Sequence, residues 1–272
     1  MTMSSAVLHA TTSAGVLFVT LNDPAHRNAL NDTMLAALES ELTRAQQDET
    51  IRAFVLRGAG GVFCAGGDFA VFKTLIATAV PNGAPDPIAR NNRSFGTLLT
   101  RLQDLPVPTI AVVAGPAAGG GTGLAATCDV VIAHASATFA TPEVTLGFPP
   151  AQIAPFMAAR LGRQRAARLL CEGRRINAHE ALAIGLVDAV ADDIDAALLA
   201  ELQRFDRTEP AAVRATKSIL AHTGPLAAQL DFASECFAGG LRTSAQEGLA
   251  AFAAKRAPAW QQSLAALPEM PK

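Results

Sequence analysis

Two glycine-rich segments hold the residues best able to do chemistry: GAGGVFCAGGD (Gly58 to Asp68) and AGPAAGGGTGLAATCDVVIA (Ala114 to Ala133). Each follows an apolar run and leads into a stretch with helical spacing. Glycine costs about 1 kcal/mol against alanine inside a helix, so the glycines at 119, 120, 121 and 123 imply a need for bare backbone. Amide N–H groups at a helix start lack intrahelical acceptors, and the helix dipole favours negative charge there. One such amide from each loop, converging on one point, would make an oxyanion hole. Small residues let a carbonyl oxygen approach those amides.

Other templates fail on residue identity. No lysine follows the glycines, as a phosphate-binding P-loop requires, and no register between Gly115 and Gly123 fits the dinucleotide fingerprint G-x-G-x-x-G. His179 and Glu180 begin a zinc-protease pattern, but Ala183 stands where the second histidine belongs. Around Ser94, Asn92 replaces the first glycine of a nucleophile elbow. Cys64 has no histidine close in sequence and reads as a small core residue rather than a nucleophile. Neither a metal site nor covalent catalysis is supported.

The elements that position the loops alternate between strand and helix. Val16–Leu21 reads as a strand, followed by a turn and a helix that starts near Asn31 or Asp32. Ile51–Arg57 is a second strand, and a helix over Asp68–Ala79 follows the first glycine loop. Val80–Pro87 has too much proline and glycine for regular structure and reads as a mobile loop. A helix from about Ile88 to Gln103 precedes the strand Thr109–Ala114, whose unbroken apolar run predicts burial on both faces. Strands over Val130–Ala133 and near Thr138–Ala140 follow the second loop. From Ile153 onward the pattern is helical to the end, with short breaks, and one helix has Asn177 and Glu180 as a capping pair and Gly185 as a stop. The amphipathic segment Ala227–Arg256 is too apolar to stand in water alone, and is expected to pack on its own core and on another subunit.

The chain has 272 residues, half of them hydrophobic, and a net charge of −2. That suits one large α/β domain with a helical C-terminal portion, and exerts no bulk pull toward nucleic acid. Six of the 18 arginines fall between Arg160 and Arg175, a cluster that fits a solvated helix face better than an anion site. Cys64, Cys128, Cys171 and Cys236 form no C-x-x-C pair and are expected to be free, buried thiols. The N-terminal MTMSSAVLHATTSAG lacks the pattern of a signal peptide, and no apolar run approaches the roughly 20 residues that span a bilayer. The expected setting is cytoplasmic, away from membranes.

Several motifs together carry a family resemblance. FCAGGD (Phe63 to Asp68) and GPAAGGGTGLAATCDVVIA (Gly115 to Ala133) resemble the paired signatures of the crotonase, or enoyl-CoA hydratase/isomerase, superfamily. DPAHRNALN, ATFATPEVTLGFPP, INAHEALAIGLVDAV and AFAAKRAPAW agree, in order, over most of the chain. The resemblance implies a crotonase-like spiral of ββα units over residues 1–200. It also implies a helical C-terminal region over 201–272 that builds a homotrimer or a dimer of trimers. The implied substrate is an acyl-CoA thioester, with coenzyme A as part of the substrate and no separate cofactor.

Carried over position by position, the resemblance makes the N–H groups of Gly67 and Gly120 the oxyanion donors. It makes Glu143 the acid/base. It lays the adenine end of coenzyme A along Arg27, Ala29 and Leu30, and along Ala65, Asp68 and Phe69. Phe252 and Lys255 would complete that pocket, in their own chain or from a neighbouring subunit. Hydratases of this family use two glutamates, and the first of them falls at position 123, which is glycine here.

NRSFGTLL, GGGTGLA and LGFPPAQIAPF look most like the hydratases acting on isohexenylglutaconyl-CoA, with 3-methylglutaconyl-CoA hydratases as more distant relatives. The implied reaction is hydration of a 2-enoyl-CoA with Glu143 doing most of the proton work. The alternatives are a Δ3,Δ2-enoyl-CoA isomerase and a non-catalytic acyl-CoA-binding homologue. A carboxylate on the substrate would call for a cation, and Arg93 is the candidate clamp. Asn91 and Asn92 could instead orient water.

Overall fold

Runs of apolar residues without polar alternation become central strands buried on both faces. A computed structural model describes residues 6–268 apart from 13, 81 and 82. Its larger sheet has six strands: β1 (Val7–Thr11), β2 (Val16–Leu21), β3 (Ala53–Gly58), β4 (Thr109–Val113), β6 (Val130–His134) and β9 (Ala189–Ala191), paired in that order. Only β1 runs antiparallel to its neighbour. A second sheet pairs β5 (Ala117–Ala118), β7 (Thr138–Ala140) and β8 (Arg175–Asn177).

The second sheet continues through isolated bridges, Leu30 with Gly67 and Cys64 with Ala117. Both sheets therefore add strands in chain order, one from each turn of the chain. That is the spiral of ββα units. Helices α1 (Asp32–Gln47), α2 (Phe69–Ala77), α3 (Pro87–Gln103) and α4 (Gly120–Thr127) close the successive turns. Asn31, Asp68 and Asp86 cap the first three with side-chain oxygens, so α1 begins where the sequence places it.

The main core lies between the two sheets and includes Phe54, Phe63, Leu98, Leu124 and Phe139. Burial of each such side chain contributes about 1.5–3 kcal/mol. On the other face of the large sheet, α8 (Ile194–Asp206) buries Leu198 and Leu202 against Phe18, Val55 and Ile110. The expected boundary at residue 200 thus falls inside a helix of the core. Beyond it stand α9 (Pro210–Ala221), α10 (Leu226–Arg242) and α11 (Ala245–Ala253), and neither α9 nor α10 buries a residue within this chain.

Several expectations need correction. The stretch after Ile153 is not wholly helical. Besides α5 (Ala154–Leu161), α6 (Arg163–Glu172) and α7 (Ala178–Ile184) it contains β8 and β9, three residues each, which exist because β7 and β6 offer open edges. Strand β1 and the two-residue β5 had no counterpart in the sequence reading. Cys64 and Cys128 are free and buried, but Cys171 is exposed and Cys236 half-buried. Arg160 leaves the solvated arginine cluster, donating to the carbonyls of Leu186 at 2.9 Å and Cys128 at 2.7 Å and pairing with Asp188. The N-terminal reading rests partly on residues 1–5, and the loop reading partly on Pro81 and Asn82, all outside the described residues. Among the described residues, no helix is long and apolar enough to cross a membrane.

Candidate active site

The two glycine loops lie side by side. The amide of Ala118 donates to the Cys64 carbonyl at 2.9 Å, and a Cβ on Gly121 would stand 2.3 Å from that same oxygen. The first loop is fixed from the other side by the segment after β2: Leu30 donates to Gly66 at 2.8 Å, and Ala65 to Arg27 at 3.0 Å. Asn28, fully buried with φ of 55°, donates its amide to the carbonyls of Ala59 and Val62 at 3.0 and 2.9 Å. This clamp was missed from sequence, where an asparagine in a turn looks unremarkable.

Gly67 and Gly120 line one cavity of about 560 Å³. Gly120 opens α4, so its N–H has no intrahelical acceptor. Among the described residues the N–H groups of Gly67 and Gly120 donate to no protein acceptor. Gly120 is glycine for space: a Cβ there would come within 2.9 Å of Leu30 Cδ1 and 3.2 Å of Phe95 Cζ.

Glu143 sits in a short 3-10 turn (Pro142–Leu146) that follows β7, and it is only 9% exposed. Its Oε1 lies 2.8 Å from the point where a Cβ on Gly119 would be, and Gly119 has φ of 51° and ψ of −120°, conformational space suited to glycine. The carboxylate therefore lies directly over bare backbone, one residue from the Gly120 amide. Its Oε2 is buried without a hydrogen-bond partner among the described residues. Burial pushes the Glu143 carboxyl above the usual carboxylate range.

The rest of the cavity wall is mostly apolar. Phe72 stacks edge-on against Phe69 and Phe148 with ring centroids 6.1 Å apart in each pair. Position 123 carries no carboxylate, and Ile153 Cγ2 lies 2.2 Å from the point its Cβ would take. Ile153 also lines the cavity. Sequence reasoning marked the missing group but not the residue that fills its place.

Of the other expected site residues, Leu30, Ala65 and Phe69 line the cavity. Ala29 is buried beside Leu30, Arg27 is exposed on the turn, and Asp68 caps α2 by accepting from the Ala70 amide at 2.8 Å. Phe252, 85% exposed, and Lys255, also exposed, are not brought to this cavity by their own chain. Arg93 does not line the cavity either, since its Nη1 donates to Thr97 Oγ1 at 2.9 Å along the exposed side of α3. Asn91 and Asn92 do line it.

A spiral of strands in which two glycines with unpaired loop amides and one buried carboxylate line the same mostly apolar cavity is the architecture of an enzyme. The comparisons agree. Residues 11–263 match the family model for enoyl-CoA hydratase/isomerase. A crystal structure of an enoyl-CoA hydratase/isomerase from Marinobacter aquaeolei superposes with a TM-score of 0.89 at 38% identity, covering 95% of this chain and 100% of that one. A 1,2-epoxyphenylacetyl-CoA isomerase from Escherichia coli is 37% identical over 90% of this chain and 94% of its own. A 2,3-dehydroadipyl-CoA hydratase from the same organism is 35% identical over 89% and 94%. The chain belongs to the enoyl-CoA hydratase/isomerase family, and is an enzyme of that family.

Proposed function

We propose that the protein hydrates a 2-enoyl-CoA thioester, with the amides of Gly67 and Gly120 holding the thioester oxygen and Glu143 handling the proton. The observation that carries this reading is the buried Glu143 carboxylate, its Oε2 without a hydrogen-bond partner among the described residues, standing over Gly119, one residue from a free amide. Water bonds to C3 and gives a proton to Glu143 as the electron pair moves to the thioester oxygen. The two amides stabilise the resulting enolate. Glu143 then returns the proton to C2. A carboxyl group held above its usual pKa suits both halves of this task. Coenzyme A enters as part of the substrate, and the steps need no separate cofactor.

One observation favours a second reading. With Ile153 filling the space beside Gly123, no second carboxylate is available at that position to help hold water. A double-bond isomerase, moving one proton between C2 and C4, needs a single carboxylate. Absorbance of the conjugated thioester separates the readings: it falls on hydration and rises when a 3-enoyl substrate is isomerised. Binding of acyl-CoA with neither change would indicate a non-catalytic binding protein.

The exposed apolar residues of α10 and α11 support assembly as a homotrimer or a dimer of trimers. Phe252 and Lys255 then reach the coenzyme A site of a neighbouring subunit.

A further inference from the structure

Gly96 lies in the middle of α3, where glycine costs about 1 kcal/mol against alanine. A Cβ there would stand 1.8 Å from Gln152 Oε1 and 3.3 Å from Arg93 Nη1. The missing side chain is thus the seat of the Gln152 amide, and the Arg93 guanidinium lies next to the same point. Gln152 Nε2 donates to Asn92 Oδ1 at 3.0 Å, tying the turn before α5 to α3. Both amides line the cavity. With Gln152 Oε1 turned toward Gly96 and Asn92 Oδ1 occupied, the groups that these two amides leave for a ligand are the Asn92 Nδ2 hydrogens and the second Gln152 Nε2 hydrogen. These are donors. Arg93 has no carboxylate partner among the described residues.

We infer that Asn92 and Gln152 form a subsite for a carboxylate carried on the acyl chain of the substrate, with Arg93 as a positioning residue beside Gln152. This rests on the reading that the cavity takes an acyl-CoA. Phe95 marks the reacting end, because its ring stands against Gly120. Asn92 lies three residues earlier on α3, about 4.5 Å along the helix axis at 1.5 Å per residue. That offset fits the far end of a short dicarboxylic chain. Asp86, which caps α3 and lines the cavity, is about 9 Å further along at the same rise, and would repel a longer diacid.

The test is calorimetric binding of saturated thioesters, which are not turned over: glutaryl-CoA and adipyl-CoA against pentanoyl-CoA and hexanoyl-CoA. The unsubstituted protein is expected to bind a diacid thioester about ten-fold or more tighter than the neutral ester of equal length, the scale of one charge-assisted hydrogen bond. Gln152→Ala and Asn92→Ala should each erase most of that ratio. Gly96→Ala should do the same by unseating Gln152. Arg93→Ala should lower the ratio and its salt sensitivity, and Arg93→Lys should restore both. Equal binding of diacid and neutral esters, or variants that weaken both alike, would overturn the subsite while leaving the acyl-CoA reading intact. Failure of all four thioesters to bind would overturn that reading, and the subsite with it.

Discussion

Ile153 and Gly123 are complementary in shape: Cγ2 of Ile153 lies 2.2 Å, and its Cβ 3.0 Å, from the point a Cβ on residue 123 would occupy. Ile153 is only 3% exposed and cannot swing aside freely. The cavity wall beside position 123 is therefore closed by an aliphatic side chain, which leaves Glu143 to carry the proposed proton transfer.

Gly123→Ala tests that packing. Helix propensity alone would favour alanine in α4 by about 1 kcal/mol. Overpacking costs about 1–3 kcal/mol, so the variant is expected to be less stable in chemical denaturation. Adding Ile153→Ala should recover part of the loss, giving a coupling energy of about 0.5–3 kcal/mol. Strictly additive effects would show that the two residues do not share the space.

The pH profile follows from the burial of Glu143. The base must be ionised, so kcat/KM is expected to rise with pH through a midpoint above the usual carboxylate range. The stability effect has the opposite slope. Below the unfolded-state pKa the group is neutral in both states, whereas above the raised folded-state pKa a buried charge must be maintained and stability is lost. Denaturation of the Glu143→Gln variant should therefore show a gain over the parent that grows as pH rises toward neutrality. A rate midpoint at or below an ordinary carboxylate's would contradict the assignment.

Thiol chemistry reports on the core. Burial pushes the Cys64 and Cys128 thiols up to about 12, whereas Cys171 is exposed and Cys236 half-buried. A thiol reagent is expected to modify Cys171 in the native protein, and Cys64 and Cys128 only after unfolding. Rapid native labelling of Cys64 would mean that the loop beneath Gly66 opens.

The C-terminal helices make a claim about assembly. Leu230 and Phe237 on α10 are 58% and 69% exposed, large apolar side chains that assembly would cover. Light scattering should give a mass of three or six chains, and a Leu230→Lys, Phe237→Lys double variant should dissociate. A parent protein that runs as a single chain would refute the proposed trimer.

Much of this fold was legible in sequence because it rests on local signals. The apolar runs of β2 and β4, the Asn31 cap and the Asn177–Glu180 capping box all appear where the residues indicate. Strands β5, β8 and β9 did not, since two or three residues carry no period and gain their conformation from a partner's open edge. The site divides in the same way. Glycine loops and a carboxylate are residue types at positions along one chain. The Ile153–Gly123 and Gln152–Gly96 fits, and the Asn28 clamp, join residues about 30 to 56 positions apart, and only folding brings them together. Arg93, nominated as a direct clamp, is turned along α3 toward Thr97 and meets the cavity only through its neighbours.

The central claim is that Glu143 moves the proton while Gly67 and Gly120 hold the thioester. Its most direct test is Glu143→Gln, assayed by the absorbance of conjugated 2-enoyl-CoA and, in parallel, by calorimetric binding of a saturated acyl-CoA. Loss of a general acid/base typically costs about 10²–10⁴-fold in rate. The expected result is a fall of that size in turnover with acyl-CoA affinity retained. Turnover close to that of the parent protein would contradict the account.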